Sequence, residues 1–329
     1  MKIIARSVNS SAAGLAGWFS WNRRWMWIAL VVFCSMADAM PPPRPNLITG
    51  FHIGPGDGLL VSTSYHRYFR GSPTGSVWDP TTPEAMPVLN MPFDEVHPII
   101  VGQSEYVCDR AGVFKTTNGV RIALGSLPGT GWCRSLVYFG ANLYAATGDA
   151  LYLSHDLGMH WTRLAGLPGS AIERLFSGPT HGVYASAVTH EGSNNVAYRY
   201  DPERGWSMID FGAPRLSRKD PDVAWRSARD YQPELIAMID DILYASSLAG
   251  LMRSVDGGQR WELFQAGLPD PLDARNITPI DVVSVMRQNA AGVLYAATRR
   301  GIYRYVQREQ RWEPIPLAGT RIGEAFFGK

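Results

Sequence analysis

After residue 46 the hydrophobic positions fall in short runs broken by turn-forming residues. One unit recurs. An apolar strand ends in a tight turn. A strand centred on Leu-Tyr-Ala follows, then a short loop, then a third strand of the Gly-Ile-Tyr-Arg-Tyr type. A polar turn leads to a Trp that opens a fourth strand. The clearest copies are residues 291–317, 241–264 and 141–164, with a looser copy at 181–211, a weaker one at 103–128 and an eroded first copy at 57–80 that ends near Trp78. The repeated tyrosines are Tyr106, Tyr144, Tyr184, Tyr244 and Tyr295, separated by 38, 40, 60 and 51 residues. Four short strands in a period of about 40 residues is the spacing of a β-propeller blade. The physical reason is burial, since one such sheet cannot cover both its faces and a radial stack can. The expectation is an all-β propeller of four-stranded blades over residues 47–329. Six recognisable copies favour six blades, with seven as the alternative if the longest gap hides a degenerate unit. No long helix is predicted after the leader.

The first 39 residues have another character. Lys2, Arg6, Arg23 and Arg24 precede a short apolar run from Trp25 to Phe33, and Ala37-Asp38-Ala39 places small residues where a signal peptidase requires them. This predicts a signal peptide cleaved after Ala39 and a periplasmic or secreted protein. The alternative is an uncleaved anchor, although the run is short for a bilayer span. Residues 40–46 form a proline-rich lead-in. Once the signal is cleaved, no membrane association is implied.

Composition sharpens this picture. The 33 Gly, 23 Pro, 11 Trp and 14 Tyr residues fit many turns between aromatic-rich strands. Only 18% of residues are charged, which argues against a disordered chain or a coiled coil. The whole chain carries +2, but the leader alone holds +3, which leaves about −1 for the remainder. Nucleic-acid binding is therefore not indicated. Cys34 leaves with the leader. Cys108 and Cys133 either form one disulfide in an oxidising compartment or remain two buried thiols. With no CxxC spacing and no HExxH, no metal site is predicted. No phosphate loop or nucleophile elbow implies a cofactor or a serine hydrolase.

Two turns carry a specific motif. Ser154, Asp156, Gly158 and Trp161 fit S-x-D-x-G-x-x-W, as do Ser254, Asp256, Gly258 and Trp261. The Asp can accept backbone N–H groups of the turn, Gly permits a left-handed backbone, and Trp can fold back onto the sheet. Residues 115–119 look like a decayed copy, while Asp201 before Trp206, and Gln310 before Trp312, keep the Trp and lose the box. The chain thus resembles the BNR/Asp-box repeat proteins, a group that includes sialidases, xyloglucan-degrading glucanases, sortilin-type domains and photosystem II assembly factors. The resemblance covers most of 100–317. It implies that the boxes are structural latches between the third and fourth strands, away from the ligand face.

In propellers, ligands usually meet the loops after the second and fourth strands. After second strands this places Asp109 and Arg110, Gly148 and Asp149, His190 and Glu191, and Arg299 and Arg300. After fourth strands it places Trp132 to Arg134, Glu173 and Arg174, residues 213–233, and residues 268–279. The stretch 213–233 interrupts the period and interleaves Trp225 and Tyr231 with Arg226 and Arg229, the residue types that anchor binding surfaces. The preferred reading is a non-catalytic scaffold that captures a protein or carbohydrate partner through this face, with its oligomeric state open. The alternative is a glycoside hydrolase. A sialidase-like site would draw on Arg110, Arg134, Arg174 and Arg299 with Glu173 or Glu191. A xyloglucanase-like site would need two facing carboxylates, for which Asp109 and Asp149 are nominated.

Overall fold

The computed structural model describes residues 47–64, 66–82, 98–129, 131–164, 166–167, 170–189, 195–211, 235–270 and 281–317. The leader and its cleavage point, the lead-in and residues 213–233 lie outside the described residues. The described residues form six four-stranded antiparallel sheets, each built from consecutive strands in simple order. The chain is a six-bladed β-propeller. Blade 1 comprises β1 (Ile48–Ile53), β2 (Leu59–Thr63), β3 (Tyr68–Gly71) and β4 (Trp78–Thr81). Blade 2 comprises β5 (Ile99–Val101), β6 (Ser104–Asp109), β7 (Gly112–Thr117) and β8 (Val120–Ala123). Blade 3 comprises β9 (Ser135–Phe139), β10 (Asn142–Ala146), β11 (Leu151–Ser154) and β12 (Thr162–Arg163). Blade 4 comprises β13 (Ser170–Gly178), β14 (Gly182–Thr189), β15 (Asn195–Asp201) and β16 (Gly205–Met208). Blade 5 comprises β17 (Leu235–Ile239), β18 (Ile242–Ser247), β19 (Gly250–Ser254) and β20 (Glu262–Leu263). Blade 6 comprises β21 (Val285–Gln288), β22 (Leu294–Ala297), β23 (Ile302–Val306) and β24 (Arg311–Pro314).

The Leu-Tyr-Ala segments are the second strands, and they are buried on both faces rather than one. Leu143, Tyr144, Ala145 and Ala146 are all buried, as are Leu243, Tyr244 and Ala245. A central strand with a neighbouring blade on each side behaves like a strand of a covered sheet, and the alanines let the neighbours approach. Hydrophobic clusters straddle the seams. Tyr106 and Cys108 of blade 2 meet Leu143 and Trp161 of blade 3. Tyr144 and Leu151 meet Leu175 and Val183 of blade 4. Phe176 and Tyr184 meet Leu243 of blade 5. Tyr244 and Phe264 meet Met286 and Trp312 of blade 6. The ring closes where Tyr295 and Ile302 of blade 6 meet Phe51, Leu59 and Phe69 of blade 1. There the Ile48 N–H donates to the Arg299 carbonyl at 2.7 Å.

The recurring tyrosine has a second role besides burial. The Tyr184 hydroxyl donates to the carbonyl of Gly257, in the third-to-fourth turn of the next blade, at 3.2 Å. The Tyr295 hydroxyl of blade 6 does the same to Pro73 of blade 1 at 3.1 Å. The same device therefore joins successive blades and closes the ring.

Both Asp boxes form as their chemistry predicts, between the third and fourth strands. The Ser154 hydroxyl donates to Asp156 Oδ1 at 2.8 Å and accepts the Gly158 N–H at 2.7 Å. Asp156 Oδ1 also accepts the His160 N–H at 2.9 Å. In blade 5, the Ser254 hydroxyl donates to Asp256 at 2.9 Å, and Asp256 accepts the Gln259 and Arg260 N–H groups at 3.0 and 2.9 Å. Gly158 and Gly258 sit at φ of +95° and +90°, which only glycine adopts readily. Asp201, which lacks the rest of the box, still accepts the Glu203 and Arg204 N–H groups, both at 2.9 Å. The segment read as a decayed box at 115–119 is instead a two-residue hairpin turn, with Asn118 and Gly119 at φ of +51° and +78°.

The boxes make stability pH-dependent. Backbone N–H donation, from His160 and Arg260 above all, holds the carboxyls of Asp156 and Asp256 below the ordinary carboxylate range. A group whose folded pKa is depressed contributes stability that is complete above its unfolded pKa and is lost as pH falls through the folded value. Stability should therefore decline below about pH 4. A variant carrying Asp156→Asn and Asp256→Asn should show a shallower decline over that range in urea midpoints. A superimposable pH profile would show that the box charges do not contribute.

Candidate functional site

The loops after second strands, and the connections from each fourth strand to the next blade, lie at one end of the strands. There the structure joins parts of blades 2, 3 and 4. Cys108 closes β6 and Cys133 precedes β9, and the two are bonded, with 5.6 Å between their Cα atoms. Both half-cystines are buried, so the bridge anchors two surface segments from beneath. One segment carries Asp109 and Arg110, and the other Trp132 and Arg134.

Trp132 is 39% exposed. The Arg110 guanidinium lies 5.4 Å from its ring centroid and that of Arg134 lies 5.0 Å away, within cation–π range. Among the described residues neither arginine makes an ion pair. Arg134 lies over the backbone of Gly148, where an added Cβ would sit 3.3 Å from the guanidinium carbon, and it reaches the Ile172 carbonyl at 3.4 Å. Asp149 stands beside Gly131. It accepts the Thr147 hydroxyl at 2.7 Å and faces Arg163 at 3.4 Å. The Thr147 hydrogen bond holds its carboxyl below the ordinary value, with Arg163 acting in the same sense.

Glu173 and Arg174 are not in a loop. They lie within β13, the first strand of blade 4, which runs longer than the sequence pattern indicates. Pairing with β14 shifts register between Ile172 and Arg174, so Glu173 occupies the irregularity. Burial pushes the Glu173 carboxyl up, and Arg134 opposes that shift. Arg110, Trp132, Arg134, Asp149 and Glu173 therefore form one neighbourhood drawn from three blades.

The other nominees lie apart from it or are committed elsewhere. Asp109 accepts the Ala111 N–H at 2.7 Å and pairs with Arg121 at 2.9 Å, and Arg121 in turn covers Phe114 at 4.0 Å. That carboxylate is paired within blade 2. Arg299 and Arg300 belong to blade 6. Arg300 pairs at 3.4 Å with Asp281, which is buried. Burial and the neighbouring Asp281 push the Tyr303 hydroxyl up to about 12, with Arg300 opposing. His190, Glu191, Trp225, Arg226 and Arg229 lie outside the described residues. Trp132 lies where the sequence places it, in the connection after the fourth strand of blade 2.

No protein-family profile matches the chain, and no curated protein matches it. Solved structures do resemble it. YCF48 from Cyanidioschyzon merolae is 12% identical with a TM-score of 0.45, over 84% of this chain and 87% of that one. YCF48 bound to D1 peptide is 15% identical with a TM-score of 0.44, over 83% and 81%. The extracellular domain of the two-component system BT4673 from B. thetaiotaomicron is 13% identical with a TM-score of 0.44, over 82% of this chain but only 33% of that one. These similarities concern the fold, and no residue role is carried over from them.

Proposed function

We propose that this is an exported, non-catalytic propeller that captures a protein or carbohydrate partner through the loops of blades 2 and 3. The observation that carries this reading is Trp132, exposed and flanked by the guanidiniums of Arg110 and Arg134. Exposed Trp and Arg on a stapled support are typical of binding hot spots, and the bridge limits the ordering cost of association. The disulfide supports an oxidising, extracytoplasmic location. The insertion at 213–233, with Trp225 and Arg226, is a second candidate contact.

Affinity capture from the native host, with the mature protein immobilised, tests the reading. Trp132→Ala should weaken capture about 30-fold, corresponding to about 2 kcal/mol, with little change in the unfolding midpoint. Capture that is unaffected by Trp132→Ala and by Arg134→Ala removes this face from consideration, and a loss confined to Trp225→Ala moves the site to the insertion.

A glycoside hydrolase is the second reading. One observation favours it: within this neighbourhood burial raises the Glu173 carboxyl while the Thr147 hydrogen bond lowers that of Asp149, a separation that suits an acid and a base. Saturable turnover of fluorogenic glycosides, abolished by Glu173→Gln, would replace the first reading with this one.

A further inference from the structure

We propose that the rim groove between blades 4 and 5 is a separate binding site for a neutral oligosaccharide. It is lined by the third-to-fourth turn of blade 5 and the segment that follows the fourth strand of blade 4, whereas Trp132 belongs to the seam of blades 2 and 3. The argument starts from two equivalent positions. Leu124 follows the fourth strand of blade 2 and its N–H bonds back to Val113, while Ile209 follows the fourth strand of blade 4 and its N–H bonds back to Ala197, both at 2.9 Å. The next residues, Gly125 and Asp210, are therefore counterparts.

At the seam of blades 2 and 3, the Gly125 N–H donates to the Gly158 carbonyl of the Asp box at 2.9 Å. A Cβ at Gly125 would lie 2.2 Å from the Met159 carbonyl oxygen, so this close junction requires glycine. At the seam of blades 4 and 5 the counterpart is Asp210, whose Cβ cannot occupy that place. A Cβ built on Gly158 would lie 2.6 Å from Leu124 Cδ1 and one built on Gly258 3.2 Å from Ile209 Cγ2, so both boxes still pack on the residue after the preceding blade's fourth strand. The groove beside Asp210 measures about 360 Å³, within the size range of small-ligand sites.

The lining points to the ligand class. Polar residues Arg199, Ser207, Asp210 and Gln259 line the groove with Trp261 and Met208; the Ser207 hydroxyl donates to the Arg199 carbonyl at 3.4 Å and Phe211 packs on the Trp261 ring at 5.1 Å. Among the described residues the Arg199 guanidinium makes no ion pair. Opposite charges in one groove give no preference for an ion. Donors and acceptors distributed beside an aromatic surface suit vicinal hydroxyls and the C–H face of a pyranose.

Calorimetric titration of the mature protein with cellohexaose, laminarihexaose and a xyloglucan oligosaccharide, with the Trp261 indole followed by NMR, tests the proposal. Saturable binding of at least one probe is expected, with a shift of the Trp261 signal. Asp210→Gly should abolish it by restoring the glycine junction, and Arg199→Ala should weaken it about tenfold. Trp132→Ala should leave it unchanged, which separates this site from the loop face. Absence of binding to all three probes at millimolar concentration, or binding indifferent to both Asp210→Gly and Arg199→Ala, overturns the proposal.

Discussion

Trp312→Ala is expected to destabilise the propeller by about 3–5 kcal/mol, the range for truncating a buried large aromatic. Trp312 is completely buried and is the hub of the seam between blades 5 and 6. Its ring meets Phe264 at 5.4 Å and Tyr305 at 5.2 Å. Its indole N–H donates to the Phe264 carbonyl at 2.9 Å and its backbone N–H to Ala266 at 2.7 Å. Truncation removes the packing, opens a cavity and strips the Phe264 carbonyl of a donor. Trp312→Phe separates these effects, because it keeps most of the packing but loses the indole hydrogen bond, and it should recover all but about 1–2 kcal/mol. Urea unfolding of both variants measures the difference. A loss below about 1 kcal/mol for the alanine variant would mean that the seam repacks around the gap.

Replacing Cys108 and Cys133 together with alanine should cost about 3–4 kcal/mol, as expected for releasing a closed loop of this length. The two cysteines are 25 residues apart. The loss should have a functional counterpart. Arg110 lies two residues after Cys108, and Trp132 and Arg134 immediately flank Cys133. The covalent link therefore holds the two halves of the cation–π group in register. Capture by the loop face should fall in the double variant even at temperatures where it remains folded, and reductant should reproduce both effects in the wild-type protein. An unchanged unfolding midpoint in the double variant would falsify the stabilising role. Unchanged capture at lowered stability would show that the platform holds its shape without the bridge.

The repeat was legible because its signals are local. Leu143-Tyr144-Ala145, Leu243-Tyr244-Ala245 and Leu294-Tyr295-Ala296 mark second strands through contiguous residues. The Asp boxes close within eight residues, through hydrogen bonds that need no distant partner. The site was less legible. Asp109 and Asp149 look like a pair of loop carboxylates, but Asp109 is taken by Arg121, which the β6–β7–β8 meander brings beside it. Glu173 reads as a loop residue because the register shift that makes room for it in β13 is a property of pairing with β14. Asp201 keeps the hydrogen bonds of a box acid with little of the motif around it, since backbone N–H groups rather than side chains are its donors.

By itself, the sequence determined the blade as a unit: its period, its four strands, its tyrosine and the chemistry of its turns. All of these depend on neighbours within one repeat. Only the tertiary structure decided what the blades do to one another: that Cys108 reaches Cys133, that Trp132 comes within cation–π range of both Arg110 and Arg134, and that Gly125 closes on the Gly158 carbonyl of the next blade. These relations join residues from different repeats, and their distances depend on how sheets stack across a seam. A one-dimensional pattern of apolar and polar positions leaves that stacking unspecified, because the same pattern is satisfied by any neighbour that buries the exposed face.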